Sequence, residues 1–195
     1  MDAGILETRK EGLYCPAGNF YVDPRGEVEN ALITHAHSDH ARSGHKAYLS
    51  ADSCKPLLRI RIGEKSKIES LPFGKSQTIG DARVSFHPAG HILGSAPIRI
   101  EVKGRVWGVS GDYKPQADRT SEPFELVPCD GFVSECTFGL PVYRWKPEED
   151  IHNQINQWWK KNKITGHGSL IFAYSLGKAQ RVLAGLDSSI GPIYA

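Results

Sequence analysis

The chain predicts an α/β fold, with its strands gathered in the first half and its helices behind them. Three observations carry that expectation. Short runs rich in β-branched and aromatic residues recur between Gly and Pro punctuation. An alternating segment folds back on itself at Lys103-Gly104, and beyond Gly139-Leu140-Pro141 the apolar residues recur at helical spacing instead. With 195 residues, 39% of them hydrophobic and 24% charged, the chain can bury one sizeable core or one and a half small ones.

Taken in order, the strand runs are "NFYVD" at Asn19 to Asp23, "NALITH" up to His35, "KAYLS" at Lys46 to Ser50 and "ARVSFHPA" from Ala82. "PIRIEVKGRVWGVSGD" alternates on both sides of Lys103-Gly104 and predicts a hairpin whose second strand ends at Gly111-Asp112. "DGFVSE" adds a short buried strand ending at Glu135. Pro147, Glu148, Glu149 and Asp150 then suit the first turn of a helix, and Lys160, Lys161 and Lys163 its last, because the helix dipole favours acids at its start and bases at its end. That helix runs about four turns, and Ile151, Ile155, Trp158 and Trp159 form the face expected to pack into a core. "SLIFAY" predicts a buried strand and "SLGKAQRVLAGL" a turn feeding a second helix, while His152 and His167 read as surface residues.

Charge and targeting exclude little. A formal net charge of +2 neither demands nor forbids a polyanionic partner. No apolar run approaches the roughly 18 residues of a membrane span, so no membrane partner is expected. Cys15, Cys54, Cys129 and Cys136 make no CxxC pair, and the opening "MDAGILETRKEG" is no signal segment, so reduced thiols and a cytoplasmic setting are the expectation.

The chemistry concentrates in "ALITHAHSDHA", where His35, His37, Asp39 and His40 follow a strand that stops at Ile33. A core strand would not carry this sequence, but a loop at a strand end lets closely spaced ligands converge. His35 and His37 offer two imidazoles to one cation, and Asp39 with His40 can serve a second, the arrangement of two-metal hydrolysis. Two divalent cations need further ligands, and His91 in "HPAGHILGS" and Asp112 in "GVSGDY" are the candidates, each beside a glycine that permits close approach. Taken singly, such a histidine is more often structural and such a Gly-Asp more often a turn; beside the cluster both gain weight.

These residues resemble the successive motifs of the metallo-β-lactamase fold: Asp23 in "FYVDP", HxHxDH at His35 to His40, His91 in "AGHILGS" and Asp112 at a strand end. Glu135 in "SECTFG" resembles the first motif of the β-CASP nucleases, and "YSLGKAQRVL" the strand-to-helix turn of their inserted domain. "GLYCPAGNFYVDP", "ITHAHSDHAR" and "ECTFGLPVYRW" together are similar to the bacterial ligase-associated DNA exonucleases, described as mRNA 3′-end processing factor-like. The resemblance implies an αββα sandwich, its first half over residues 1–139 and the beginning of a β-CASP insertion over 140–195. It also implies two further histidines beyond "GPIYA", so the chain reads as an amino-terminal fragment that exposes apolar surface, and catalysis by these residues alone is in doubt.

The activity implied is metal-dependent phosphodiester hydrolysis with two divalent cations, zinc or else manganese. His35, His37 and His91 would hold one, Asp39 and His40 the other, Asp112 would bridge, Glu135 would position a general acid, and Asp23 would orient the ligand histidines. Arg42, His45 and Lys178 are candidate phosphate contacts. The implied substrate is DNA in ligase-associated repair, with a DNA ligase and a helicase as pathway partners. RNA 3′-end processing is the alternative, and a metal- or nucleic-acid-binding fragment without activity is a third reading.

Overall fold

The computed structural model describes residues 4–195. The chain divides into two compact units, one ending at Glu135 and the other running Cys136–Ala195.

The first unit is built from two mixed sheets. In one, β1 (Glu7–Arg9), β2 (Gly12–Cys15) and β3 (Phe20–Val22) form an antiparallel meander. It continues as parallel strands β4 (Asn30–Leu32), β5 (Ala47–Ala51) and β6 (Ile68–Leu71), with helix α1 (Lys55–Ile62) between the last two in sequence. In the other, β7 (Ser76–Ile79), β8 (Ala82–Phe86), β9 (Ile98–Val102) and β10 (Arg105–Val109) run antiparallel, and β11 (Gly131–Val133) adds on parallel to β10.

The alternation read from the sequence places the core. Val84 opposes Ile100 and Phe86 opposes Ile98 across β8 and β9, and all four are fully buried. Glu101, following the buried Ile98 and Ile100 on the other face of β9, pairs with Arg83 at 3.2 Å and Arg99 at 2.8 Å. The β9–β10 hairpin turns at Lys103 (φ 50°) and Gly104 (φ 80°), the two successive left-handed residues of a type I′ turn, whose twist matches that of its strands.

The second unit holds α2 (Glu148–Ile164) and α3 (Lys178–Gly185). Acidic residues in the first turn of α2 and Lys161 and Lys163 in its last bear out the dipole reading. Asn156 ties the helices together, donating to Gly185 O at 3.0 Å and accepting from the Asp187 N–H at 3.0 Å. The Gly177 N–H at the start of α3 donates to Gln180 Oε1 at 2.7 Å.

Several expectations are corrected. The face of Ile151, Ile155, Trp158 and Trp159 is not buried: α2 has no buried residue, and Trp158 is 42% exposed. "SLIFAY" is not a strand, and Phe172 within it is 90% exposed. A strand needs a neighbour to take its backbone hydrogen bonds, and the second unit has no strand among its described residues. β11 is an edge strand with Phe132 half-exposed rather than a buried one. Strands β1, β2, β6 and β7 and helix α1 are additions, and no helix among the described residues is long and apolar enough to cross a membrane.

Candidate metal centre

The site lies in the first unit, where β3, β4, β10 and β11 end and the loop after β8 turns back. Asp23 follows β3 with a left-handed backbone (φ 43°), unusual outside glycine. The conformation directs its carboxylate at the next strand end: Oδ1 accepts the Thr34 N–H at 2.8 Å and Oδ2 accepts the Thr34 hydroxyl at 2.5 Å. The same Oδ2 takes the Nδ1–H of His40 at 2.8 Å. Because the Thr34 hydroxyl donates to Asp23, it is left to accept from His35 Nδ1 at 3.1 Å. Asp23 thereby fixes the tautomer of His35, through Thr34, leaving its Nε2 as a lone-pair donor, and holds the Nδ1–H of His40, so that His40 Nε2 would offer its lone pair once a cation displaces its proton.

The ligand atoms meet. His35 Nε2 lies 3.0 Å from His37 Nδ1, which lies 3.2 Å from His91 Nε2. Asp112 Oδ2 is 3.3 Å from His91 Nε2 and 3.8 Å from His35 Nε2. The ligand atoms of His35, His37, His91 and Asp112 all fall within 4.8 Å of one another, and those of His40, Asp112 and Glu135 form a second such group. Asp112 belongs to both, its Oδ1 3.5 Å from His40 Nε2. Three imidazoles and one carboxylate are the donor set a borderline-soft divalent cation such as zinc takes, so the residues fit the metal.

The backbone holds these ligands by close fits. Gly111 adopts φ 54°, and a Cβ there would stand 2.4 Å from Thr34 Oγ1, so glycine alone lets Asp112 approach the β4 end. The His91 loop closes on Ser95, whose Oγ accepts from the His91 and Ile92 N–H groups at 3.1 Å each. Arg61 of α1 donates to Ala36 O between the first two histidines. Ser110 Oγ accepts the Glu135 N–H at 3.2 Å and so places that carboxylate.

The electrostatics follow from burial and crowding. Burial pushes His35 well below the ordinary imidazole range, and neighbouring His40 adds to this. Burial would also lower His40, but its hydrogen bonds to Asp112 and Asp23 and their charges override it and raise it to about 10. The His40 hydrogen bond is the chief reason that Asp112 is lowered to about 2, against the opposing effect of burial. In the metal-free protein His40 thus carries a proton between two carboxylates, the place of positive charge that a cation would take over.

The structure places the remaining predicted residues less uniformly. Asp39 is 73% exposed in its side chain, reaches His40 Nε2 at 3.8 Å and belongs to neither group. Glu135 comes nearer than a positioning role requires, standing among the ligand atoms of the second group. Arg42 is exposed on the histidine loop, and Lys178 opens α3 in the second unit with its Nζ 4.9 Å from the Tyr174 ring centre. His45 is no exposed phosphate contact: it is 8% exposed and its ring packs 5.1 Å from that of Tyr48. Thr34, Ser95 and Ser110 were not foreseen; the only sequence signal is a small hydroxyl residue within four positions of a ligand.

A protein of Opitutus terrae named "Probable DNA ligase" is 32% identical over 185 residues, 93% of this chain and 18% of that protein. Cleavage and polyadenylation specificity factor 73 of Drosophila melanogaster is 32% identical over 123 residues, 62% of this chain and 18% of its own length. Endoribonuclease YSH1 of Saccharomyces cerevisiae is 27% identical over 123 residues, 62% of this chain and 16% of its own. The chain thus spans less than a fifth of these curated relatives. A solved structure of a protein of unknown function from Enterococcus faecalis V583 superposes with a TM-score of 0.51 at 14% identity, over 68% of this chain and 39% of that one, a likeness of fold. No family model matches the chain.

Proposed function

On the premise that the chain is a metallo-β-lactamase-fold protein of the β-CASP branch, which its motifs and its similarity to cleavage and polyadenylation specificity factor 73 and YSH1 support, we propose that it is the metal-binding part of a nuclease hydrolysing phosphodiester bonds. The observation that carries this reading is the sharing of Asp112 between two convergent ligand groups, His35, His37 and His91 on one side and His40 and Glu135 on the other.

Two divalent cations, zinc or manganese, would supply a hydroxide near neutral pH and positive charge opposite the phosphate oxygens. His35, His37 and His91 would hold one cation, and Asp112, whose Oδ2 lies toward His35 and His91 and whose Oδ1 lies toward His40, would be shared by both. His40 would bind the second, held in its tautomer by Asp23, with Glu135 beside it and Asp39 at the rim. Crowding three imidazoles against one carboxylate keeps that carboxylate ionised, as bridging requires.

The substrate proposed is DNA, attacked as an exonuclease in ligase-associated repair beside a DNA ligase and a helicase in the cytoplasm. The similarity that spans 93% of the chain is to a protein named as a DNA ligase, which favours this reading. RNA 3′-end processing is favoured instead by the name endoribonuclease on YSH1. Residues 140–195 would begin the β-CASP insertion. The test is release of nucleotides from matched DNA and RNA strands by the whole protein, with zinc or manganese returned after chelation. DNA cleavage that stops on chelation and resumes with metal is the expected result; faster RNA cleavage would establish the alternative, and chelator-resistant cleavage would remove the two-metal mechanism.

A further inference from the structure

We propose that Phe138, Tyr143 and Trp145 form a stacking platform for the bases of a single-stranded nucleic acid. The inference rests on the nuclease reading above and adds a binding site outside the metal centre. The three rings sit in the second unit, in "FGLPVYRWK", before α2 begins. They are packed on one another: Phe138 stands edge-on to Tyr143 at 5.1 Å and to Trp145 at 5.2 Å, while Tyr143 and Trp145 lie parallel within 10° at 6.3 Å. Yet no core covers them, for Phe138 is 56% exposed, Tyr143 44% and Trp145 70%.

Two tight turns hold the cluster in shape. The Gly139 N–H donates to Cys136 O at 3.1 Å and the Tyr143 N–H to Leu140 O at 3.1 Å, so the rings are brought together by local backbone rather than by a binding partner. A platform ordered in advance loses little entropy on receiving a ligand.

The charges name the ligand. Arg144 and Lys146 flank Trp145 on both sides and are exposed, so cations alternate with the rings. The acids that follow, Glu148, Glu149 and Asp150, belong to the first turn of α2 and answer its dipole. Rings interleaved with cations match a strand whose bases offer π faces while its phosphates carry negative charge, and such stacking tolerates any base sequence.

The test is equilibrium binding of a short fluorescein-labelled DNA strand to the full chain in chelator, read as anisotropy, with an RNA strand of the same sequence and a DNA duplex in parallel. Trp145→Ala and Phe138→Ala should each weaken single-strand binding by about tenfold, for DNA and RNA alike. Trp145→Phe should restore most of it, and the duplex, whose bases already stack, should bind more weakly and respond less. Arg144→Ala should lower the slope of log affinity against log salt by about one. Unchanged affinity in ring variants whose circular dichroism matches the parent would overturn the platform, as would ring variants that abolish self-association while leaving strand binding intact. Working in chelator separates the two claims. A protein that binds through these rings but never cleaves leaves the platform standing and removes the hydrolase, whereas one that cleaves and binds equally well without them does the reverse.

Discussion

Asp112 is the residue on which both ligand groups depend, since one oxygen faces His35 and His91 and the other faces His40. Asp112→Ala loosens both proposed cations at once and should lower cleavage on the order of a hundredfold or more. Arg42→Ala should instead weaken nucleic-acid binding mildly and uniformly, with a shallower salt dependence. Paired rate measurements decide it: wild-type cleavage by Asp112→Ala would be incompatible with the site. Asp23 belongs to neither ligand group, but it hydrogen-bonds His40 directly and His35 through Thr34, and so fixes the tautomers of both. Asp23→Ala should therefore cost about 10- to 100-fold in zinc affinity, measured against a chromophoric chelator. An ordinary Asp-Pro turn would leave that affinity unchanged. The HxHxDH spacing and the later His91 and Asp112 were legible because ligand clusters are rare outside function. Thr34, Ser95 and Ser110 were not, because hydroxyl residues are common and their use depends on which strand ends meet.

At the level of elements, legibility followed burial on both sides. β9 could be read from alternation, because Ile98 and Ile100 lie in the core and Arg99 and Glu101 do not, and β8 and β10 from their apolar and aromatic runs, which end in buried residues. β1 and β7 could not, since "ETR" and "SQTI" have no buried residue, and their pairing is imposed by β2 and β8. α1 hid because "KPLLRIRI" buries only Leu58. In α2 the helical period was right but its burial was not, as periodicity reports which residues share a face and never what covers it. The junction of β10 with the metal loop yields a stability prediction. Gly111→Ala puts a methyl 2.4 Å from Thr34 Oγ1 in a left-handed conformation, and should cost about 1–3 kcal/mol together with part of the zinc affinity. A denaturation midpoint equal to the parent's would show that the strand end yields without cost. Thiols test the packing of β2 and α1 in the same way. Cys15 of β2 and Cys54 at the start of α1 are buried, with Cys54 pushed up to about 12 by burial, whereas Cys129 and Cys136 are exposed. Native protein should label rapidly at Cys129 and Cys136 and at all four only after denaturation; fast labelling at Cys54 would contradict the α1 packing.

For the whole molecule, the two units differ in how much they bury. The first gathers nearly all of the fully buried side chains, among them Phe20, Leu32, Phe86, Ile98 and Ile100, along with the metal ligands. The second leaves Leu140, Trp145, Leu170, Phe172 and Tyr194 more than half exposed and buries nothing along α2 or α3. Helices of this kind draw their stability from packing, so a unit that buries so little apolar surface opens at small free-energy cost while its neighbour stays closed. Limited digestion by thermolysin, which cuts before apolar residues, should therefore fall first within Cys136–Ala195, and a resistant product ending close to Glu135 should accumulate. Zinc should slow any later digestion of that product, because cations bound by His35, His37, His91 and Asp112 tie together the ends of strands from both sheets and stabilise the folded form by mass action. The readout is the mass of the accumulating product with and without metal. Early cuts inside β4 to β10 would contradict the division of stability between the units. A resistant product indifferent to zinc would leave that division intact and count against the metal centre.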